Sequence, residues 1–341
     1  MASPAKTLEI STSPHILSGY SVDTIMFNVV LALLPTTVFA VYAFGLTAVL
    51  TLLTAVATCC GSEYLACRLA GRESSLGDWS AAITGLLYGL TLPPGIPLWM
   101  VVVGGVVAIG LGKALFGGLG FNAFNPALVG RAFIQAAFPV ALTSWSPAFV
   151  ADRFTSLAAA TLTPPFTEPV YDAVTSATPL ALWKFDHQPT AVGDLALGFS
   201  GGSIGETSSL LILVGGAYLV ARNMMNWRIP AGLFLAVACL SGVLHWVDPQ
   251  SYAAPVFMLC SGGLMLGAVF MATDMVASPM TGTGCLLYGG LIGVLVVVIR
   301  SWGGMPEGVM YAILLGNALS PHIDGMVRPT VYGAVAGERS R

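Results

Sequence analysis

The chain has 341 residues, of which 56% are hydrophobic and only 9% are charged. Soluble proteins carry about 25% charged residues. This composition, with a mean hydropathy of +0.83, therefore indicates a membrane protein that crosses the bilayer several times. A formal net charge of −3 gives no basic surface and excludes a nucleic-acid-binding protein.

Sequence patterns for several common kinds of chemistry are absent. The six cysteines form no Cys-x-x-Cys pair and the four histidines are scattered, so no zinc, haem or iron–sulfur site is indicated. There is no P-loop, no G-x-G-x-x-G run and no Ser-His-Asp set, which excludes ATP hydrolysis and nicotinamide binding. We therefore predict no catalytic side chain and no metal site, so redox chemistry would require a bound cofactor.

The apolar segments fall into two groups, one on each side of a polar interval at residues 139–208. A polar lead (1–21) precedes the first membrane half (22–138), and the second half (209–324) is followed by a tail (325–341). Several segments are too short for a full crossing, so we expect at least two broken or re-entrant helices. The predicted segments are 22–44, 46–69, 81–92, 97–115, a short helix to 138, 209–221, 230–246, 255–273, 285–302 and 308–319.

The distribution of lysine and arginine predicts the orientation. If the N-terminus is cytoplasmic and ten segments alternate, ten of the 13 positive residues, Arg131 included, lie inside. Only Arg153, Lys184 and Arg300 then lie outside. Both termini are therefore expected in the cytoplasm and the polar interval outside. Five segments per half place the second half in the opposite orientation, so the fold class is an all-α membrane protein of about ten helices in two inverted repeats.

Two polar positions in the membrane halves are candidates for an ion or cofactor pathway. Asn125 precedes Pro126, a good helix start, which either faces an ion, an anionic cofactor or water inside the membrane or is a capped helix at the surface. Asp274 follows a long apolar segment and is either a functional carboxylate or an interfacial cap. A water channel would repeat the Asn-Pro-Ala turn in its second half. This chain has Asn317-Ala318-Leu319 there, which argues against a water pore.

The polar interval contains a stretch of small and hydroxyl residues that ends at Thr178. A threonine among small residues can carry a bulky phosphate ester without steric conflict. The same stretch is also compatible with an ordinary Ser/Thr-rich turn. Both interpretations remain open from the residues alone.

Several stretches together resemble one family of membrane proteins. The family contains the RnfD component of the Rnf electron-transport complex and the NqrB component of the sodium-translocating NADH:quinone reductase. The similarity runs through nearly the whole chain in order, and the opening around Ser13-Pro14-His15 is closer to the Rnf component. The stretches that carry it are 112–127, 272–279, 303–308 and 321–329.

The resemblance implies a covalent FMN on Thr178, joined through a phosphoester. The family pattern D-x-x-[S/T]-[G/S]-A-T falls on Asp172, Thr175, Ser176, Ala177 and Thr178, with Ser176 where glycine is common. A second, non-covalent flavin such as riboflavin is also implied. Implied partners are the A, B, C, E and FMN-bearing G components of the Rnf complex, a flavin transferase for maturation, and the lipid membrane.

The expected function follows from this resemblance. The chain would be a relay subunit of a translocase-type oxidoreductase in the bacterial inner membrane, coupling electron flow between ferredoxin and NAD to movement of Na⁺ or H⁺. It would not be the site of NAD reduction, and its flavin loop would be periplasmic. The alternatives are the NqrB component of the quinone reductase and, from a different class, a passive channel similar to urea transporters or aquaporins.

Overall fold

The computed structural model describes residues 21–167, 178–188, 190–206 and 208–328. Within these ranges the regular structure is entirely helical, as expected for an all-α membrane protein. The helices are α1 (Val22–Phe44), α2 (Leu46–Leu69), α3 (Ser80–Leu90), α4 (Leu98–Gly112), α5 (Pro126–Ala137), α6 (Pro139–Thr143), α7 (Pro179–Asp186), α8 (Val192–Leu197), α9 (Ser209–Ala221), α10 (Arg228–Val247), α11 (Pro255–Cys260), α12 (Leu264–Leu266, continued by a π-helical turn at Gly267–Met271), α13 (Gly282–Trp302) and α14 (Val309–Met326).

Five of the described helices are long and apolar enough to cross a membrane. They are Val22–Phe44, Leu46–Leu69, Leu98–Phe116, Arg228–Val247 and Gly282–Trp302. Several shorter apolar helices, among them Ser80–Leu90 and Ser209–Ala221, complete the bundle. The chain is therefore a multi-pass membrane protein.

The helices begin and end where local chemistry requires it. Ser21 caps α1 by accepting a hydrogen bond from the Thr24 amide. Gly45 separates α1 from α2 at a φ of 67°, in the left-handed region that favours glycine. A Cβ at Gly45 would lie 2.0 Å from the Arg153 carbonyl oxygen, so only glycine fits this turn.

The two halves of the chain meet at corresponding elements. In the first half α2 packs against α3 and α4, and in the second half α10 packs along α13. The halves contact each other through α1 with α9 and α5 with α14. The Tyr218 hydroxyl donates to Asn28 Oδ1 at 2.5 Å and joins the first of these pairs. This arrangement supports the predicted repeat.

Each half contains a helix that stops inside the bundle, which confirms the prediction of two broken helices. The helix α3 has only 11 residues, about 16 Å, and cannot cross about 30 Å of hydrocarbon. The predicted single helix at 255–273 is wrong, because the chain breaks between α11 and α12 at Ser261-Gly262-Gly263. The last helix extends to Met326 rather than 319, since Pro321 lies inside α14 without ending it.

The helix bundle has two ends, the loop face and the terminal face. The loop face is the end covered by residues 139–167, 178–188 and 190–206, which contain the short helices α6, α7 and α8. The terminal face is the opposite end, where α1 begins and α14 ends. At the loop face the Gly205 and Ile204 amides donate to the carbonyls of Leu90 and Leu92 at 2.6 and 2.9 Å. The covering segment therefore satisfies the free end of α3.

A substitution pair on α13 tests the close packing of α10 and α13. A Cβ at Gly289 would lie 2.2 Å from the Ile229 carbonyl oxygen, whereas a Cβ at the adjacent Gly290 would meet nothing within 4 Å. We expect Gly289→Ala to lower the free energy of unfolding by about 1–3 kcal/mol, because α10 must shift. Gly290→Ala should leave stability unchanged or slightly raise it. Thermal unfolding of both variants in detergent checks this, and equal effects would contradict the packing described.

Candidate functional site

The segment over the loop face encloses a cavity of about 470 Å³. Its walls combine the aromatic rings of Trp145, Phe185 and Tyr311 with a few polar groups. Such a mixture of apolar surface and convergent polar groups is typical of sites for organic ligands, which occupy about 300–1,000 Å³. The polar groups are those of Arg131, Gln135, Thr143, Thr178, Glu206 and Glu307.

Thr178 lies in the wall of this cavity and is only 7% exposed. It caps α7, where its hydroxyl oxygen accepts a hydrogen bond from the Ala181 amide at 3.3 Å. Pro179 occupies the first helical position, which proline favours because its missing N–H is not needed there. The threonine is thus buried against the bundle. The other predicted attachment residues, Asp172, Thr175, Ser176 and Ala177, lie outside the described residues.

Lys184 fixes α7 in this position. Its ammonium group donates to the carbonyl oxygens of Arg300, Gly303 and Met305 at 2.9, 2.5 and 3.0 Å. These carbonyls belong to the end of α13 and the turn that follows it. A cation at a helix C-terminus is electrostatically favourable. The contact therefore holds Thr178 over the second half of the bundle.

A partly buried ion pair in the wall of the cavity joins the two halves. Arg131 of α5 donates to Glu307 Oε2 at 2.9 Å, and the Gly263 amide donates to Glu307 Oε1 at 2.6 Å. Burial alone would raise the pKa of Glu307, but Arg131, Arg300 and the Gly263 amide hold that pKa below its usual range. Glu307 is therefore ionised at neutral pH.

Arg131 lies near the loop face, at the opposite end of the bundle from the one predicted. The distribution of positive residues in the sequence predicts Arg131 on the cytoplasmic side, together with Lys113. The structure places its side chain, 8% exposed, in the wall of the loop-face cavity. The physical reason is the pairing with Glu307, which precedes α14 at that face.

Glu206 is a second carboxyl group beside the ion pair. A Cβ at Gly263 would lie 2.8 Å from Glu307 Oε1 and 3.4 Å from Glu206 Oε1, so the two carboxyl groups face each other. The Ser203 amide donates to Glu206 Oε2 at 3.4 Å, while Glu206 Oε1 is buried without a hydrogen-bond partner. Burial and the neighbouring Glu307 charge raise the pKa of Glu206 to about 7. This carboxyl group can gain or lose a proton near neutral pH.

A second cavity, of about 110 Å³, opens toward the terminal face and contains both predicted pathway residues. Asn125 caps α5 by accepting from the Ala127 amide at 3.0 Å and donates to the Met271 carbonyl at 3.2 Å. Asn122 donates to Asp274 Oδ2 at 3.3 Å. Asn125 is 4% exposed. It is therefore an interior cap, and the structure brings it close to Asp274.

Sequence reasoning missed several charged residues of these sites. The sequence indicates only an orientation for Arg131 and Arg300, and it assigns no role to Lys113, Glu63 or Glu206. All lie in or beside apolar segments, where an ionisable residue is a functional candidate by default. That signal was present in the sequence. The pairings of these residues were not, since partners such as Arg131 and Glu307 lie far apart along the chain.

The contrast between Glu206 and Glu307 gives a pH-dependent stability. The folded state raises the pKa of Glu206 from 4.5 to about 7, so the unfolded state releases its proton first and stability falls as pH rises through this window. Glu206→Gln should remove this pH-dependent fall. Above pH 7 its free energy of unfolding should exceed that of wild type by up to about 3 kcal/mol more than it does below pH 4.5. The lowered pKa of Glu307 acts in the opposite sense, with stability lost only at more acidic pH.

Unfolding measured across this pH range in detergent checks the prediction. Glu73→Gln, at an exposed position, is the matched control and should follow wild type. Curves for Glu206→Gln and wild type that stay parallel from pH 4.5 to 7 would contradict the assignment of the raised pKa to Glu206.

Comparison with known proteins gives a consistent result. The chain is 41% identical to the D component of the ion-translocating oxidoreductase complex of Stutzerimonas stutzeri, with 92% of each chain covered. It is 40% identical to the D component of the proton-translocating ferredoxin:NAD(+) oxidoreductase complex of Clostridium ljungdahlii, with 95% and 96% covered. It is 39% identical to the Na(+)-translocating counterpart of Acetobacterium woodii, with 96% and 95% covered. The model of the NQR2, RnfD, RnfE family matches residues 9–333, and the chain belongs to that family.

Proposed function

We propose that this chain is the membrane flavoprotein component RnfD of an ion-translocating ferredoxin:NAD oxidoreductase, an Rnf complex, and carries FMN on Thr178. The observation that carries the proposal is the position of the Thr178 hydroxyl in the wall of the loop-face cavity. The family and the names of its relatives support membership of an ion-translocating oxidoreductase complex.

The hydrogen bonding of Thr178 is compatible with a phosphoester. Its oxygen accepts from the Ala181 amide, and an ester oxygen can still accept that bond. Attachment replaces only the hydroxyl hydrogen, so α7 keeps its cap. The phosphate would lie at the first turn of α7, where the free amides and the helix dipole favour negative charge.

The cavity suits a flavin ring in volume and in chemistry. Its volume of about 470 Å³ and its aromatic walls match a large planar ligand. Arg131, whose Nε is buried without a partner, and Glu206, whose Oε1 is likewise unpartnered, offer polar contacts to it. When bound, FMN supplies one- and two-electron transfer. The covalent bond prevents its loss, and Lys184 and α7 position it.

In the proposed complex this protein relays electrons and does not itself reduce NAD. Its partners are the A, B, C, E and FMN-bearing G components, and a flavin transferase attaches the FMN. A second, non-covalent flavin such as riboflavin completes the relay. Electron flow is coupled to movement of Na⁺ or H⁺, and the relatives named above include one of each kind. The NqrB component of the NADH:quinone reductase is the alternative within the family, and the relatives' names favour RnfD.

The proposed orientation has both termini in the cytoplasm and the flavin cavity on the periplasmic side of a bacterial inner membrane. The described lysines and arginines support this orientation even when Arg131 is counted at the loop face. At the loop face lie Arg131, Arg153, Lys184 and Arg300, and toward the terminal face lie Arg68, Arg72, Lys113, Arg222, Arg228 and Arg328. The excess at the terminal face follows the positive-inside rule.

Mass spectrometry of the protein co-expressed with its flavin transferase tests the attachment. We expect a flavin-mass adduct on the tryptic peptide 154–184 of wild type and none on Thr178→Val. Thr167→Val is the control on the same peptide, because Thr167 is exposed and its hydroxyl donates to the Pro164 carbonyl at 2.7 Å. This variant should keep the adduct. An unmodified wild-type peptide despite active transferase would contradict the proposal and favour a passive channel.

A further inference from the structure

The carboxyl group of Glu206 has one oxygen that the protein leaves unbonded. Its Oε2 accepts a hydrogen bond from the Ser203 amide at 3.4 Å, whereas Oε1 is buried without a partner. Glu206 lines the same cavity as Thr178. A buried carboxylate is costly unless it is protonated or paired. The Glu206 carboxyl group is therefore placed to hold a proton in this cavity.

Two adjacent glycines place this carboxyl group beside the start of α7. A Cβ at Gly262 would lie 2.6 Å from Leu180 Cδ1, so the first turn of α7 packs directly on Gly262. A Cβ at Gly263 would lie 3.4 Å from Glu206 Oε1. Since Leu180 is two residues from Thr178, a group attached to Thr178 would begin close to this carboxyl group.

Charged groups from other elements surround Glu206. Arg131 of α5 and Glu307 before α14 form the ion pair described above, and Arg300 of α13 also interacts electrostatically with Glu206. Lys184 of α7 is bound by three backbone carbonyl oxygens. With Glu206 ionised, the two arginines and the two glutamates sum to zero charge. With Glu206 protonated, the same cluster has one positive charge left over and can accommodate a new negative charge.

Reduction of a flavin in this cavity would supply such a charge. A ring that takes up two electrons and one proton gains one negative charge. In a site of low dielectric, that charge favours protonation of a neighbouring carboxyl group. Protons can reach the site, because the exposed side chains of Phe185 and Met305 line the cavity and open it to water at the loop face.

We propose that Glu206 neutralises the charge of the reduced flavin by binding a proton, an inference that rests on the proposed attachment of FMN to Thr178. The Glu206 carboxylate takes a proton from water and forms an O–H bond when the flavin is reduced, and it returns the proton to water on reoxidation. The electrons come from the electron-carrying partners in the complex, and none passes to Glu206. Two protons rather than one then enter the cavity with two electrons, so its total charge is unchanged.

The pH dependence of the flavin redox potential tests this role. Full-length protein co-expressed with its flavin transferase is titrated with redox mediators and followed by flavin absorbance from about pH 5.5 to 9. Below pH 7 Glu206 is protonated in both redox states, so wild type and Glu206→Gln should run parallel. Above pH 7 the wild type binds the extra proton on reduction. Its redox equilibrium constant should then fall about tenfold more per pH unit than that of Glu206→Gln.

Asp186→Asn is the matched control. Asp186 is an exposed carboxyl group at the end of α7, on the same face of the protein. Its removal changes the charge near the cavity without removing the proposed proton site, so this variant should run parallel to wild type at every pH. A structural role for Glu206, limited to closing the loop over Gly263, predicts the same parallel behaviour for Glu206→Gln.

Curves for Glu206→Gln and wild type that stay parallel above pH 7 would overturn this inference and leave the attachment to Thr178 standing. A wild-type peptide without flavin would instead overturn the proposed function, and this inference with it. If Glu206→Gln does not fold, infrared difference spectra of wild type decide. Reduction at about pH 8 should produce the C=O band of a protonated carboxyl group that shifts in heavy water, and its absence would overturn the inference.

Discussion

The broken helices leave free backbone groups inside the bundle, and the rest of the structure depends on satisfying them. In a membrane, an unpaired amide or carbonyl costs several kcal/mol because no water is available to compensate it. Asn125 satisfies free backbone groups in both halves. Its side-chain oxygen accepts from the first amides of α5, and its side-chain nitrogen donates to the Met271 carbonyl at the end of the π-helical turn. Arg300 does the same at the other break by donating to the carbonyls of Met258 and Ser261 at 2.6 and 3.0 Å.

These polar solutions place charge at two separate levels of the bundle. At the loop face, Arg131, Glu206 and Glu307 surround the break between α11 and α12 and border the cavity that contains Thr178. Toward the terminal face, Glu63 and Lys113 lie beside the cavity of Asn125 and Asp274. The cavity that contains Thr178 and the ion pair of Glu63 with Lys113 therefore lie at opposite ends of the bundle.

Much of the fold followed from apolar segment lengths, because helices α1, α2 and α9 begin and end where hydrophobicity changes. The break at Ser261-Gly262-Gly263 did not, since its flanking residues are as apolar as an intact span and contacts from the distant Arg300 and Glu307 stabilise it. The residue types of Asn125 and Asp274 single them out one by one in the sequence, and only the folded chain brings both into the wall of one cavity. The site around Thr178 was predicted from its motif alone, and Arg131 and Glu206 join it only through tertiary packing.

The central claim is that Thr178 holds a flavin inside the loop-face cavity. A cryo-electron microscopy map of the protein purified from its native membrane tests this most directly. The account predicts density continuous with Thr178 Oγ1 that extends past the start of α7 as a flat ring system bordered by Arg131 and Tyr311. A threonine side chain ending at its hydroxyl, with lipid or water density filling the cavity, would contradict it.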